Sequence, residues 1–288
     1  MTSETPAPDA APDPTPLLSD EQVRAFHADG FLNYGSLLTK GETAELRAAL
    51  TRTLSGKSAK TPESLGNIGG GKGVVVQIVN EWEAEPAFHK HLFHPKIVAM
   101  VARLMNTDTV RVWHDQVQIK PSHIGAPTIW HQDYPYWPVI APGDLISAWV
   151  AIDDASEANG CMSMVPRSHT WGSYKGGTIG SRPDDWGPEH DPAFVPPGEI
   201  VEVVPCPVPA GGVAFHHCLT WHGAPPNFTG SGRPAIAVHY MPGHTRYQPA
   251  GGHMVEHHIH VPVGALLTGD HFPTVMENGR LLQPTEKD

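Results

Sequence analysis

The stretch Trp130-His131-Gln132-Asp133 decides how this chain is read. Its flanks are short apolar runs broken by Pro, Gly, Asn and Asp, the texture of strands joined by turns. On an extended segment side chains alternate, so residues i and i+2 share a face. His131 and Asp133 therefore converge, and Trp130, Tyr134, Tyr136 and Trp137 supply a rigid aromatic pocket wall beside them. The same His-x-Asp pattern occurs at His27-Ala28-Asp29. That copy falls in an expected helix, where positions i and i+2 point apart, so the spacing selects the later pair.

Outward from this motif, strands are expected over residues 110–120, 145–152, 161–165, 200–208, 213–220 and 235–241, with a strand-like run at 74–79. The earlier residues have a helical period. Ser19-Asp20-Glu21-Gln22 and Thr39-Lys40-Gly41-Glu42 are capping boxes. The first helix ends at Gly30. The second carries Leu46, Ala49, Leu50 and Leu54 on one face and closes at Gly56. A third helical stretch, 86–105, is divided by Pro95. Helices followed by many short strands predict a mainly β chain with flanking helices, an α+β fold built round a jelly roll or barrel. Residues 1–17, rich in Pro, Ala, Thr, Ser and acids, are expected to form a disordered tail, with 18–288 as a single domain. The glycine-rich run Gly66 to Gly73 precedes a strand instead of following one, so it is a loop and not a phosphate cradle. Residues 171–199 read as a long insertion of the functional or mobile kind.

The charge balance narrows the partners. The 288 residues hold 19 Lys and Arg against 30 Asp and Glu, a net charge of −11, with no basic block. Nucleic acid and anionic membranes are excluded on that basis, and no apolar run reaches membrane-spanning length. The 3 cysteines give neither a disulfide framework nor a paired zinc motif and fit a reducing cytoplasm. Of the 19 histidines, His89, His91 and His94 are expected at the surface of their helix. His253, His257, His258 and His260 are expected on a pocket rim or solvated loop, with no carboxylate spaced to join them in a metal site.

A 2-His-1-carboxylate triad needs a second, distant His. It leaves coordination positions open and is the pattern of non-haem Fe(II) oxygenases. Strand placement alone leaves His216, His217, His222 and His239 as candidates. The segment Thr220 to Asn227 ends in turn residues, where ligands sit well, and Arg233 opens the next strand. A hairpin would return that guanidinium toward His222, where it could grip the far carboxylate of a diacid.

With these residues the chain resembles the phytanoyl-CoA dioxygenase-like Fe(II)/2-oxoglutarate oxygenases. The likeness runs over about residues 18–245: LSDEQVRAFHADGFL at the start, WHQD, the stretch LISAWVAIDDASEANGCMSMVPRSH, and HGAPPN followed by Arg233. The resemblance implies a double-stranded β-helix, a cupin-like jelly roll. It implies Fe(II) held by His131, Asp133 and His222, and 2-oxoglutarate gripped by Arg233. It also brings Trp149 and Gln116 to the cosubstrate and implies O2 as oxidant, with succinate and CO2 released. The family often has Ser two residues after the distal His; here it is Ala224, with Thr220 or water as replacement. Asp133 stands where related halogenases have Ala or Gly, so hydroxylation is expected instead.

The expected substrate is a small natural-product or amino-acid-like metabolite, since an acyl-CoA would want a cationic patch that the sequence lacks. Tyr134 and Trp137 are expected to meet it. A monomer or homodimer is expected. The competing readings are a cupin-like metal enzyme that does not use 2-oxoglutarate and a binding module with a vestigial triad.

Overall fold

A computed structural model describes residues 17–69, 73–174 and 195–284 of the chain. The expected tail falls almost wholly outside these residues, and Leu18 just beyond it is already buried at 1% exposure. Most of the 171–199 insertion also lies outside them.

The chain opens with helix α1, Asp20–Asp29, then strand β1, Phe31–Ser36, and helix α2, Lys40–Leu54. Both expected capping boxes form. Ser19 and Gln22 satisfy each other's backbone N–H groups, as do Thr39 and Glu42. Gly30 ends α1 at φ 83°. An added Cβ there would meet His169 Nδ1 at 2.4 Å and Thr220 Oγ1 at 2.7 Å, so this position requires glycine on both counts. Strands β2, Ser64–Asn67, and β3, Val76–Val79, form a hairpin, so Gly66 and Asn67 belong to a strand and not to the expected loop. Helices α3, Glu81–Ala84, α4, Pro86–Leu92, and α5, Pro95–Met105, follow, with Pro95 dividing the last two as expected.

Expected surface positions on these helices are partly wrong. His91 and His94 are 5% and 9% exposed. Helices α4 and α5 are short and each starts at a proline, so the chain turns back on α2. His94 then lies 3.4 Å from Glu42 and caps α5 at Ile97.

The remaining strands build two facing sheets and one separate two-stranded pair, β6 with β13. They are β4 (Val110–Lys120), β5 (Thr128–His131), β6 (Ile140–Ala141), β7 (Ile146–Ala151), β8 (Met162–Met164), β9 (Val204–Cys206), β10 (Gly212–His217), β11 (His222–Ala224), β12 (Arg233–Pro242), β13 (Arg246–Tyr247), β14 (Thr274–Glu277) and β15 (Arg280–Leu281). The expected 200–208 strand shrinks to residues 204–206. The major sheet has the order β1-β10-β7-β12-β4-β14-β15, with the β2–β3 hairpin attached to β4, and the minor sheet runs β5-β11-β8-β9. This is the jelly roll.

Strand period two explains the core. All of β12 is buried, so both of its faces are covered. Ile236, Val238 and Tyr240 point into an apolar cluster with Phe88, Leu92, Ile97 and Val101 of the helices. Ala235 and Ala237 point the other way, into a cluster with Met162, Met164 and Cys206 of the minor sheet. Alanine on that inner face is small, so the space between the sheets is not filled by side chains. No helix among the described residues is long and apolar enough to cross a membrane.

Candidate active site

His131 and His222 are direct cross-strand partners on β5 and β11. Their ring centroids lie 4.2 Å apart. Each ring is aimed by its own backbone: His131 Nδ1 lies 2.8 Å from the carbonyl of Ile129, and His222 Nδ1 lies 2.9 Å from that of Thr220. A carbonyl can only accept, so both Nδ1 atoms carry the proton and both Nε2 atoms present a lone pair. Those Nε2 atoms lie 3.7 and 3.6 Å from Asp133 Oδ1. Asp133 itself is not on an extended segment. Its backbone is right-handed helical (φ −71°, ψ −46°) at the start of a short 3₁₀ turn, Tyr134–Tyr136, so the pair converges through a strand end followed by a turn. His27 and Asp29 stay on α1, as their helical spacing requires.

Three residues that the sequence did not assign to this role orient the carboxylate. Register places His114, His239, Ser147 and His216 in one row across β4, β12, β7 and β10. The Ser147 hydroxyl donates to Asp133 Oδ2 at 3.1 Å and accepts from His239 Nδ1 at 2.7 Å. His216 Nε2 donates to the same Oδ2 at 3.1 Å. One carboxylate oxygen is thus fully engaged, and the other is turned to the two imidazole lone pairs. Burial alone would raise the Asp133 carboxyl, but its histidine surroundings, with His216 donating to Oδ2, hold it well below the ordinary carboxylate range. Burial lowers His131 and His222, keeping the rings neutral and able to ligate.

The next row is Gln116, Ala237 and Trp149 on β4, β12 and β7. Beyond it Arg233 is paired with Lys120 in register. A cavity of about 40 Å³ runs from His131, Asp133 and His222 past Gln116 and Trp149 to Arg233. Arg233 is 1% exposed, yet among the described residues its Nε and Nη1 have no hydrogen-bond partner. A buried guanidinium without acceptors is costly. Two open lone pairs and a carboxylate at one end, with an orphaned cation at the other, fit a divalent iron and a chelating 2-oxo diacid between them.

The described geometry agrees with the comparison of the sequence to known families. The model of the family named Phytanoyl-CoA dioxygenase (PhyH) matches residues 26–235. The chain belongs to the phytanoyl-CoA dioxygenase family. This is a family of iron- and 2-oxoglutarate-dependent oxygenases. Among its relatives, Phytanoyl-CoA dioxygenase domain-containing protein 1 of Mus musculus is 30% identical over 162 residues, 54% of this chain and 53% of that protein. The chain thus spans about half the length of the curated relatives it matches first. Two solved structures match more fully. The non-heme alpha ketoglutarate dependent carbocyclase SnoK from nogalamycin biosynthesis is 29% identical with a TM-score of 0.74, over 92% of this chain and 100% of its own. The epimerase SnoN in complex with Fe3+, alpha ketoglutarate and nogalamycin RO is 27% identical with a TM-score of 0.72, over 91% and 99%.

This member of the phytanoyl-CoA dioxygenase family has a second cavity, of about 220 Å³, on the other side of the triad. Tyr136, Trp137, His114, His239 and His253 line it. Tyr134 does not; its hydroxyl donates to the Ile140 carbonyl and its ring packs with the aromatic cluster behind. The 3₁₀ turn reverses the phase expected of a strand and brings Tyr136 forward. Thr220 is also committed elsewhere, donating to the Gly30 carbonyl at 2.7 Å. The hydroxyl near Ala224 is instead that of its cross-strand partner Thr128, which lines the same small cavity. Lys120, fully buried, donates to the carbonyls of Ala224 and Pro225 at 3.0 and 2.6 Å and fixes the turn that follows His222. A period-two series of small and polar residues, Ala235, Ala237 and His239 opposite Ser147 and Trp149, is the sequence signal that marks this inner face.

Proposed function

We propose that the protein is an Fe(II)/2-oxoglutarate-dependent dioxygenase, a single domain over residues 18–288, that hydroxylates an unactivated C–H bond of a small metabolite and releases succinate and CO2. His131, Asp133 and His222 hold the iron. Arg233 binds the remote carboxylate of 2-oxoglutarate, with Trp149 and Gln116 beside it. When bound, iron and 2-oxoglutarate together supply the activation of O2. The chain supplies the rest. Ser147 and His216 keep Asp133 Oδ1 aimed at the metal position, and the Ile129 and Thr220 carbonyls keep both imidazoles in the ligating tautomer. The alanines of β12 leave room for the cosubstrate, and Trp137 and Tyr136 wall off the substrate side from water.

The observation that carries this reading is the buried Arg233 beside the triad, whose Nε and Nη1 find no hydrogen-bond acceptor among the described residues. A metal enzyme that did not bind a diacid would leave that guanidinium uncompensated. The likeness to SnoK and SnoN supports a natural-product substrate, and the cavity beyond the triad suits a small one or the reacting end of a larger one. Three free buried thiols, Cys161, Cys206 and Cys218, suit a cytoplasmic setting.

Mixing the protein with Fe(II) and 2-oxoglutarate without O2 should give a visible metal-to-ligand charge-transfer band that Arg233→Ala weakens. Absence of any band rejects the reading. Candidate metabolites are then screened for stimulated succinate release, and the product is weighed. A hydroxylated product gains an oxygen atom, whereas a cyclised one loses hydrogen and an epimer keeps the substrate's mass.

A further inference from the structure

We propose that Glu63, His257 and His258 form a second metal site, one for Zn2+, which ties the wall of the substrate cavity to the edge hairpin β2–β3. The three residues come from distant parts of the chain. Glu63 immediately precedes β2, and the two histidines lie in a 3₁₀ turn, Glu256–His258. His258 Nε2 lies 3.0 Å from Glu63 Oε2 and His257 Nε2 lies 3.5 Å from Glu63 Oε1. Zinc bonds of about 2.0–2.2 Å at tetrahedral angles place neighbouring ligand atoms roughly 3.3 Å apart; one ligand atom from each of the three residues lies within 4.8 Å of the others, close enough for one ion to draw them together.

The tautomer supplies an independent argument. His257 Nδ1 lies 2.8 Å from the Met254 carbonyl and therefore donates to it. In the neutral ring Nε2 then carries only a lone pair, and that lone pair faces a carboxylate oxygen. Such a pair repels unless a cation stands between, and a backbone carbonyl behind a ligating imidazole is the usual orienting partner in metal sites. His258 is fixed from the other side. Its ring stacks on His271 at a centroid distance of 3.5 Å and an angle of 13°. His271 is held in turn by Glu83 at 3.0 Å and Asn80 at 2.9 Å. Two imidazoles and a carboxylate suit zinc better than calcium or magnesium. The His257 side chain is 61% exposed, which gives the ion a path of entry and water for its remaining position.

The site is separate from the iron triad, but its turn follows His253 and Met254, which line the substrate cavity. Zinc there fixes that wall against the hairpin.

Zinc binding to the full-length protein, measured by equilibrium dialysis, tests the proposal. His257→Ala/His258→Ala should bind about one zinc per chain fewer than the unaltered protein, and His131→Ala/Asp133→Ala should keep that zinc. Glu63→Gln, which keeps the shape of the side chain, should lose the same zinc while circular dichroism reports an intact fold. A His–Glu ion pair alone predicts unchanged zinc in both the His257→Ala/His258→Ala and Glu63→Gln proteins, and that result overturns the site. So does a His131→Ala/Asp133→Ala protein that binds no zinc.

Discussion

The guanidinium carbon of Arg233 lies 5.2 Å from the centre of the Trp149 ring. An indole face partly compensates a cation, but among the described residues no carboxylate pairs with Arg233, and burial pulls its pKa down to about 10. The cosubstrate-free protein therefore carries a buried charge that only a ligand can satisfy. Replacing such a charge with an apolar side chain of similar length is expected to stabilise the free protein, by about 1–4 kcal/mol. Arg233→Met should melt at a higher temperature than the unaltered protein without ligand. Added 2-oxoglutarate should raise the melting temperature of the unaltered protein only. A variant that melts lower and still responds to 2-oxoglutarate contradicts this role.

The carboxylate of Asp133 is held on one oxygen by Ser147 and His216, which leaves the other for metal. Partners of this kind are worth roughly 10- to 100-fold in metal affinity. Ser147→Ala should weaken Fe(II) binding by about 10-fold, and excess Fe(II) should restore most of the succinate formation. Asp133→Ala should abolish it at any iron concentration. Iron titrations of succinate release distinguish the two, and full activity of the Asp133 variant would reject the ligand assignment.

Thr128 and Ala224 are cross-strand partners on the wall of the small cavity. If Thr128 supplies the hydroxyl that Ala224 lacks, Thr128→Val should raise the KM for 2-oxoglutarate by about 5- to 10-fold, the worth of one hydrogen bond. Ala224→Ser restores a hydroxyl at the neighbouring position and should recover part of that loss in the double variant. Equal KM values in all three proteins would assign no cosubstrate contact to either residue.

The parts of this site legible in the sequence are those governed by local rules. The capping boxes at Ser19 and Thr39 need only residues three apart, and the His-x-Asp motif needs only adjacency. The family motifs around Asp133, His222 and Arg233 point to an assembled site. The layer behind it was hidden because it depends on register. His114, His239, Ser147 and His216 meet only when four strands are aligned, and no spacing along one strand reveals that row. Among the candidate second ligands, His216 and His239 were close in sequence terms but stand behind the carboxylate, not beside the metal position. Tyr134 faces away from the larger cavity because a 3₁₀ turn follows Asp133, a local change of backbone that residue spacing does not announce. Glu63 meets His258 across a sequence separation of 195 residues, so no spacing could announce it.

Glu81 is a buried acid on the helical side of the major sheet, fully shielded from solvent. The Thr53 hydroxyl donates to its Oε1, and Oε2 has no partner among the described residues. Its pKa is raised from 4.5 to about 7, chiefly by burial and further by Glu85, with the Thr53 hydrogen bond pulling the other way. Asp115 nearby is raised well above its ordinary value by its own burial and by Glu81. Between pH 4.5 and about 7 the folded protein thus holds a proton at Glu81 that the unfolded chain has released. The stability that this proton contributes is complete below 4.5 and is lost as pH rises through about 7. Buried histidines such as His91 titrate with the opposite sign, so the informative quantity is a difference. Denaturant midpoints of the metal-free protein and of Glu81→Gln, measured across this range, should diverge. The unaltered protein should lose stability relative to the variant as pH rises, because the amide cannot ionise. Parallel profiles would mean that Glu81 keeps an ordinary pKa in the folded chain.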